Sequence, residues 1–454
     1  MASLSVTSSV TSSLTRSVTS SANRSANKNA PKYDGNASQG LIFTTGERET
    51  DQMFMEEPEA FKLTTLPFKT KSRAVATNYR HRFTKQFSTS ALADDSLNDI
   101  TSDAKPKSYR HLNLEQFALI DELETHQSSS LNAANKSLYN PTTEFIEEHC
   151  KTIISTNQSP DVPFERSINP YRGCEHGCVY CFARPSHAYL DYSPGLDFET
   201  KIVFRANAVE QLAREFEKQN YTVKPIALGM NTDAYQPIER DKQITRQLLQ
   251  LCLDYKHPVT LLTKSNLVLR DLDILQELAK FNLVHVGVSI TTLDHRLKNS
   301  LEPRASSGSV RLKILEKLVQ NRIPCFAMIA PIIPALNDCE IEKLLQAIAA
   351  TGTRHANYIM LRLPYELKDI FSDWLTDNYP YKKTKVLAYL KDIRDGSLNQ
   401  SSFGERMRGS GALAQIISAR FKLACKSLNL NEVPQPSLNC NAFTTKQPQQ
   451  LRLI

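Results

Sequence analysis

The sequence predicts an α/β fold built on a parallel sheet. Two observations carry that prediction. From about residue 160 onward, short β-branched runs alternate with amphipathic helical stretches, strand then helix, about six times. The strand runs are almost continuously apolar, as expected where helices cover both faces of a sheet. Each crossover must return the chain to the same edge, which makes neighbouring strands parallel. A doubly wound open sheet and a barrel both satisfy the alternation.

A short segment at Ile168 leads into a cysteine-rich loop. Asn207 then reads as the N-cap of a helix, with Glu210 reaching back in a capping box. Val209, Leu212, Ala213 and Phe216 mark that helix's apolar face. A strand over 225–228 is followed by a polar loop and a helix with Ile244, Leu248, Leu251 and Tyr255 inward. The series continues with a strand over 259–263, a helix over 272–278 and a strand over 284–290. A helix over 312–319 precedes a strand over 325–330. Asp338 caps a helix running to Ala350, and a strand over 358–361 closes the set. Trp374 lies in a further amphipathic helix, and a helix over 413–428 ends the domain.

At 454 residues the chain is long enough for two or three domains, though barrels run long as single ones. No apolar run approaches the roughly 18 residues that span a bilayer. The balance of 55 basic and 48 acidic residues gives +7, too mild to indicate nucleic acid by itself. Nine cysteines, an odd number with no secretory h-region, predict reduced thiols and a cytoplasmic protein. The first 30 residues are Ser/Thr-rich and free of acids. They read as a disordered low-complexity tail, with an acid-poor organellar transit peptide as the alternative. The expected organisation is a disordered region over 1–110, a linker over 111–159, a core over 160–400, a helical extension over 401–430 and a polar tail over 431–454. Between Lys69 and Lys85, six cations and no acid are interleaved with Tyr79 and Phe83. Such a run could bind nucleic acid electrostatically; a solvated tail is the preferred reading.

The loop after Ile168 carries Cys174, Cys178 and Cys181 in the spacing C-x3-C-x2-C. Three thiolates this close can hold three irons of a cubane and leave the fourth open, which distinguishes a reaction centre from a closed structural site. A zinc site is the alternative, but no second C-x2-C knuckle exists, and His176 or His187 would have to complete it. The chain has only 14 glycines, yet Gly173 and Gly177 both fall in this loop, where they allow tight wrapping. Tyr180 offers a flat face beside the open iron.

The run Cys174, Cys178, Tyr180, Cys181 resembles the radical S-adenosylmethionine (SAM) signature C-x3-C-x-aromatic-C. The flanking residues 167–190 are similar to a bacterial group related to spore photoproduct lyase, with the likeness extending over about 160–425. The resemblance implies a partial (β/α)6 barrel whose three cysteines hold a 4Fe–4S cluster, with SAM chelated at the open iron. It implies an enzyme that reductively cleaves SAM to a 5′-deoxyadenosyl radical, fed by an external one-electron donor of flavodoxin or ferredoxin type. Tyr180, Thr232, Asp233, Lys264 and Ser289 are the implied SAM contacts. Without the resemblance, Asp233 reads equally as a turn residue, Lys264 as the partner of an internal acid such as Asp233, and Arg304 as a surface residue or an anion contact. The proline-rich turn over 330–338 could pack against adenine or simply end a strand. The motif 403–409 carries no physical role beyond a glycine-flanked basic turn. Where photoproduct lyases carry a hydrogen-donating cysteine, this chain has Met230, and a thioether has no S–H to give. That disfavours a thymine-dimer substrate; RNA modification and a non-enzymatic iron–sulfur or zinc scaffold remain the other readings. No residue is assigned to the substrate.

Overall fold

Ten strands run through the structure, a computed structural model that describes residues 73–75, 77–83 and 142–445. In chain order they are β1 (Glu144–Glu148), β2 (Ser155–Thr156), β3 (Arg166–Ile168), β4 (Tyr171–Arg172), β5 (Lys201–Arg205), β6 (Ile226–Leu228), β7 (Val259–Thr263), β8 (Val284–Ser289), β9 (Cys325–Ile332) and β10 (Ala356–Met360). The chain divides into two units, Met1–Glu57 and Pro58–Ile454, and all described residues lie in the second.

The main sheet has the order β10-β9-β8-β7-β6-β3-β2. Its six strands from β3 to β10 are parallel, and β2 adds an antiparallel edge. Helices α1 (Ala208–Phe216), α2 (Ile244–Asp254), α3 (Leu272–Lys280), α4 (Gly308–Gln320) and α5 (Ile341–Ala350) form the crossovers. Their buried positions recur at helical spacing, as Ile244, Leu248, Leu249 and Cys252 do in α2. This is the six-fold β-α alternation expected of a partial barrel. Helices α6 (Leu367–Asn378), α7 (Pro380–Asp392) and α8 (Gly411–Ser427) follow the last strand.

The wall is not closed by backbone. β10 and the β2–β3 hairpin are the two ends of the sheet. Side chains span between them: Arg406 grips Asp161 of the hairpin with two bonds of 2.6 Å each. A second, smaller sheet, β1-β5-β4, packs beside the cysteine loop.

Several expectations are corrected. Asn207 does not cap α1 through its side chain. Its amide instead pairs with the Cys150 backbone, accepting from N and donating to O at 3.0 Å each. Asp338 opens a 3-10 turn, Asp338–Glu340, and α5 starts after it without a side-chain cap. The stretch 73–83, assigned to a disordered region and a solvated basic tail, is docked wherever it is described. Val75 and Tyr79 are buried, because Tyr79 N donates to Ser193 Oγ at 2.7 Å and Tyr79 OH donates to Asp373 Oδ2 at 2.8 Å. The polar tail is packed as far as residue 445: Asn431 pairs with the Ala356 backbone, and Phe443 joins Phe216, Tyr221, Tyr255 and His257 under the barrel. Of the expected disordered region over 1–110 and linker over 111–159, residues 1–72, 76 and 84–141 lie outside the described residues.

Candidate cluster and cofactor site

The cysteine loop follows β3 at the carboxyl ends of the parallel strands, where sites on such sheets are built. It is pinned by backbone bonds from Cys174 N to Phe198 O (2.9 Å) and from Val179 N to Leu301 O (3.0 Å). Gly173 and Gly177 both take positive φ, +77° and +66°. A Cβ on Gly177 would lie 2.6 Å from Glu199 Oε2. That carboxylate is fully buried with Arg184, at 2.5 Å. Arg184 in turn donates to the Cys178 and Gly177 carbonyls, at 2.9 and 3.1 Å. One buried ion pair therefore holds the loop from beneath. The docked N-terminal stretch completes it, as Ala74 N donates to Glu199 Oε2 at 3.3 Å.

Cys174 and Cys178 are buried and Cys181 is half-buried; all nine cysteines are free thiols. Burial pushes the Cys178 thiol up to about 12 and Cys174 up as well. Binding iron therefore forms thiolates and releases protons. Among the described residues no three His, Cys, Asp or Glu side chains are placed to hold one ion, and the Asp233 backbone N–H donates to the Cys174 sulfur. A cubane fits such thiols, because each cysteine binds a different iron. The histidines that could have completed a zinc site have other partners. His187 Nε2 lies 3.1 Å from Lys201 O. His176 Nδ1 lies 3.3 Å from Asp233 Oδ2, at ion-pair distance without hydrogen-bond alignment.

The five expected SAM contacts surround this loop, but four of them have oxygens engaged by the protein. Thr232 donates to Gly173 O at 2.8 Å and accepts from Gln236 at 2.9 Å. Asp233 accepts from Tyr235 N and Thr263 Oγ1 on one oxygen, and from Lys264 N on the other. Burial works to raise its pKa, but His176 and these donors prevail and hold it well below the usual carboxylate range. Ser289 Oγ donates to Ala330 O at 3.3 Å. Tyr180 OH donates to Glu302. Lys264 differs: among the described residues its ammonium has no ion pair or hydrogen bond, Asp233 included, and sits 5.9 Å from the centre of the Tyr180 ring. Burial lowers its pKa, yet Cys178 and Glu302 outweigh that, and it stays raised.

Sequence reasoning missed the charged residues that organise the site. Glu302 is fully buried against Arg311 of α4. Burial opposes its ionisation, but Arg311 and Lys264 hold its pKa at about 2. Arg304 reaches Glu175 Oε1 at 3.0 Å, and Glu175 Oε2 accepts from Ile238 N. Glu175 thus ties the cysteine loop to the loop after β6, and Arg304 ties it to the segment before α4. Met230, just beyond the end of β6, is half-buried.

A family model described as the radical SAM superfamily matches residues 168–348. An uncharacterized protein of Mycobacterium tuberculosis is 33% identical over 285 residues, covering 62% of this chain and 82% of its own length. An uncharacterized protein of Methanocaldococcus jannaschii is 31% identical over 257 residues, covering 55% and 92%. Among solved structures, spore photoproduct lyase complexed with dinucleoside spore photoproduct aligns with a TM-score of 0.46 at 15% identity. That alignment covers 63% of this chain and 79% of the other.

Proposed function

The chain belongs to the radical SAM superfamily, and from that premise we propose that Cys174, Cys178 and Cys181 hold its 4Fe–4S cluster and that Lys264 receives the carboxylate of SAM. When bound and reduced by one electron, this pair of cofactors supplies a 5′-deoxyadenosyl radical and methionine. The chemistry belongs to the cofactors, and the chain supplies binding, orientation and shielding. The observation that carries the reading is three free cysteines beside an ammonium that has no ion pair among the described residues and lies over the Tyr180 ring, at one strand-end mouth. Arg184 and Glu199 fix the thiols' backbone, and Thr232 and Asp233 fix the loops around them. Thr232, Asp233 and Ser289 thereby act as supports for the pocket, with any contact to SAM made alongside those bonds. The electron comes from an external one-electron donor of flavodoxin or ferredoxin type. No helix among the described residues is long and apolar enough to cross a membrane.

The reaction is abstraction of hydrogen from a substrate. Met230 weighs against a thymine-dimer lyase, since it cannot return a hydrogen atom. Anaerobic reconstitution tests the reading. The expected result is about four irons per chain and reductant-dependent formation of 5′-deoxyadenosine from SAM. Stoichiometric zinc without iron, or a loaded cluster that neither binds nor cleaves SAM, would sink it.

A further inference from the structure

The buried carboxylate of Glu302 is bonded on both oxygens within the cofactor pocket. Its Oε1 accepts from Tyr180 OH and from Thr291 Oγ1, the latter at 2.7 Å. Its Oε2 pairs with Arg311, whose other two nitrogens donate to Ser289 O at 3.0 Å and Ser306 O at 2.8 Å. Ser306 N donates to Lys264 O at 3.3 Å. The residue before it, Leu301, takes the Val179 N–H of the cysteine loop. The cysteine loop and the end of β8 therefore meet on the Glu302 side chain, and the loop after β7 is joined to it through Arg311 and the Ser306 backbone.

The charges explain why the hub must be a carboxylate. Arg311 and Glu302 cancel at contact distance, so Lys264 keeps its charge for an incoming anion. An apolar residue at 302 would leave a bare guanidinium in the interior, and a lone buried charge is strongly destabilising. A neutral amide would lose the pairing and release the Tyr180 ring, whose face lies toward the Lys264 ammonium.

We propose that Glu302 is a positioning residue for SAM, holding the Tyr180 ring and the Lys264 backbone in one geometry through its bonds to Tyr180 and Arg311. The inference rests on the reading that this mouth binds SAM. Outer-shell partners of metal ligands typically account for 10–100-fold in affinity or activity.

Three variants test it. Tyr180→Phe deletes one hydroxyl and keeps the ring. Glu302→Gln removes the charge. Glu302→Gln with Arg311→Met removes the pair together, so that no buried guanidinium is stranded if the single variant fails to fold. Each is reconstituted anaerobically and measured for iron per chain, for SAM affinity by titration calorimetry, and for the electron paramagnetic resonance spectrum of the reduced cluster with and without SAM. The expected result is wild-type iron and a wild-type spectrum without SAM, with SAM affinity reduced about tenfold or more and a diminished spectral response to SAM. Affinity within twofold of wild type in Tyr180→Phe and the double variant would overturn the proposal. Iron lost in step with affinity would also overturn it, by making Glu302 a structural residue of the loop. Failure of the wild-type protein to bind SAM would overturn the proposed function as well, so the two failures are distinct.

Discussion

Gly177 is the position where one added methyl should cost most. Alanine there must adopt φ near +66°, which disfavours a residue with a Cβ by roughly 1–2 kcal/mol. The methyl would stand 2.6 Å from Glu199 Oε2 and 3.0 Å from its Cδ, against about 3.5–4.0 Å for an unstrained contact. Glu199 would have to retreat by about 1 Å. It cannot do so freely, because its other oxygen lies 2.5 Å from Arg184 in a fully buried pair. Breaking such a pair costs about 3–5 kcal/mol. The expected total is on the order of 5 kcal/mol, a large share of the roughly 5–15 kcal/mol that keeps a domain folded. At about 2–4 °C per kcal/mol, Tm should fall by about 10 °C or more, and iron should be retained poorly because Arg184 also holds the Cys178 carbonyl. Gly404 supplies the control: its φ is +84° and a Cβ would meet nothing within 4 Å. Gly404→Ala should show only the backbone cost, about 1–2 kcal/mol. Scanning calorimetry and iron analysis of both proteins decide the matter. Equal Tm and equal iron in the two variants would refute the clamp.

Lys264→Gln should raise the KM for SAM about tenfold, as loss of a charged hydrogen bond worth about 1.5–3 kcal/mol implies, while iron content holds; an unchanged KM counts against the carboxylate contact. His257 is buried neutral, with Tyr221 OH 2.8 Å from Nε2 and Pro258 O 3.0 Å from Nδ1, and burial holds its pKa at about 3. The unfolded chain takes up a proton near pH 6.5 that the folded one refuses. Its contribution is therefore complete above pH 6.5 and is lost as pH falls toward 3, by up to about 1.4 kcal/mol per pH unit. Urea titrations should show that slope in the wild type and a shallower one in His257→Phe; parallel slopes would refute it. Tyr79→Ala should free the docked stretch, at a cost of about 3–5 kcal/mol, and trypsin should then cut at Arg80 and Arg82 much faster than in the wild type.

The barrel strands were legible because burial on both faces leaves little polar interruption; the run 259–263 was expected and β7 occupies those residues. The cysteine loop was legible because its chemistry is local in sequence. What escaped was decided by distant partners. Asn207 looks like a cap until Cys150, 57 residues away, claims its amide. Asp233 balanced between turn and ligand, and its bonds from Thr263 and Lys264 come from the next strand, 30 and 31 residues away. Glu302 and Arg311 drew no reading, since no local pattern marks a carboxylate and a guanidinium nine residues apart as a buried pair. The docked stretch did carry a signal: Val75, Tyr79 and Phe83 are large apolar residues in an otherwise basic run, and the first two are the buried ones. Composition averaged it away.

The sheet order leaves β10 and the β2–β3 hairpin as ends that share no ladder. Arg406–Asp161 joins the segment after α7 to the hairpin, and Arg82–Glu366 and Tyr79–Asp373 tie the docked stretch to the elements after β10. None of these is a rung of a sheet, so parting them breaks no β-ladder hydrogen bond, and this side of the sheet depends on side chains where the rest depends on backbone.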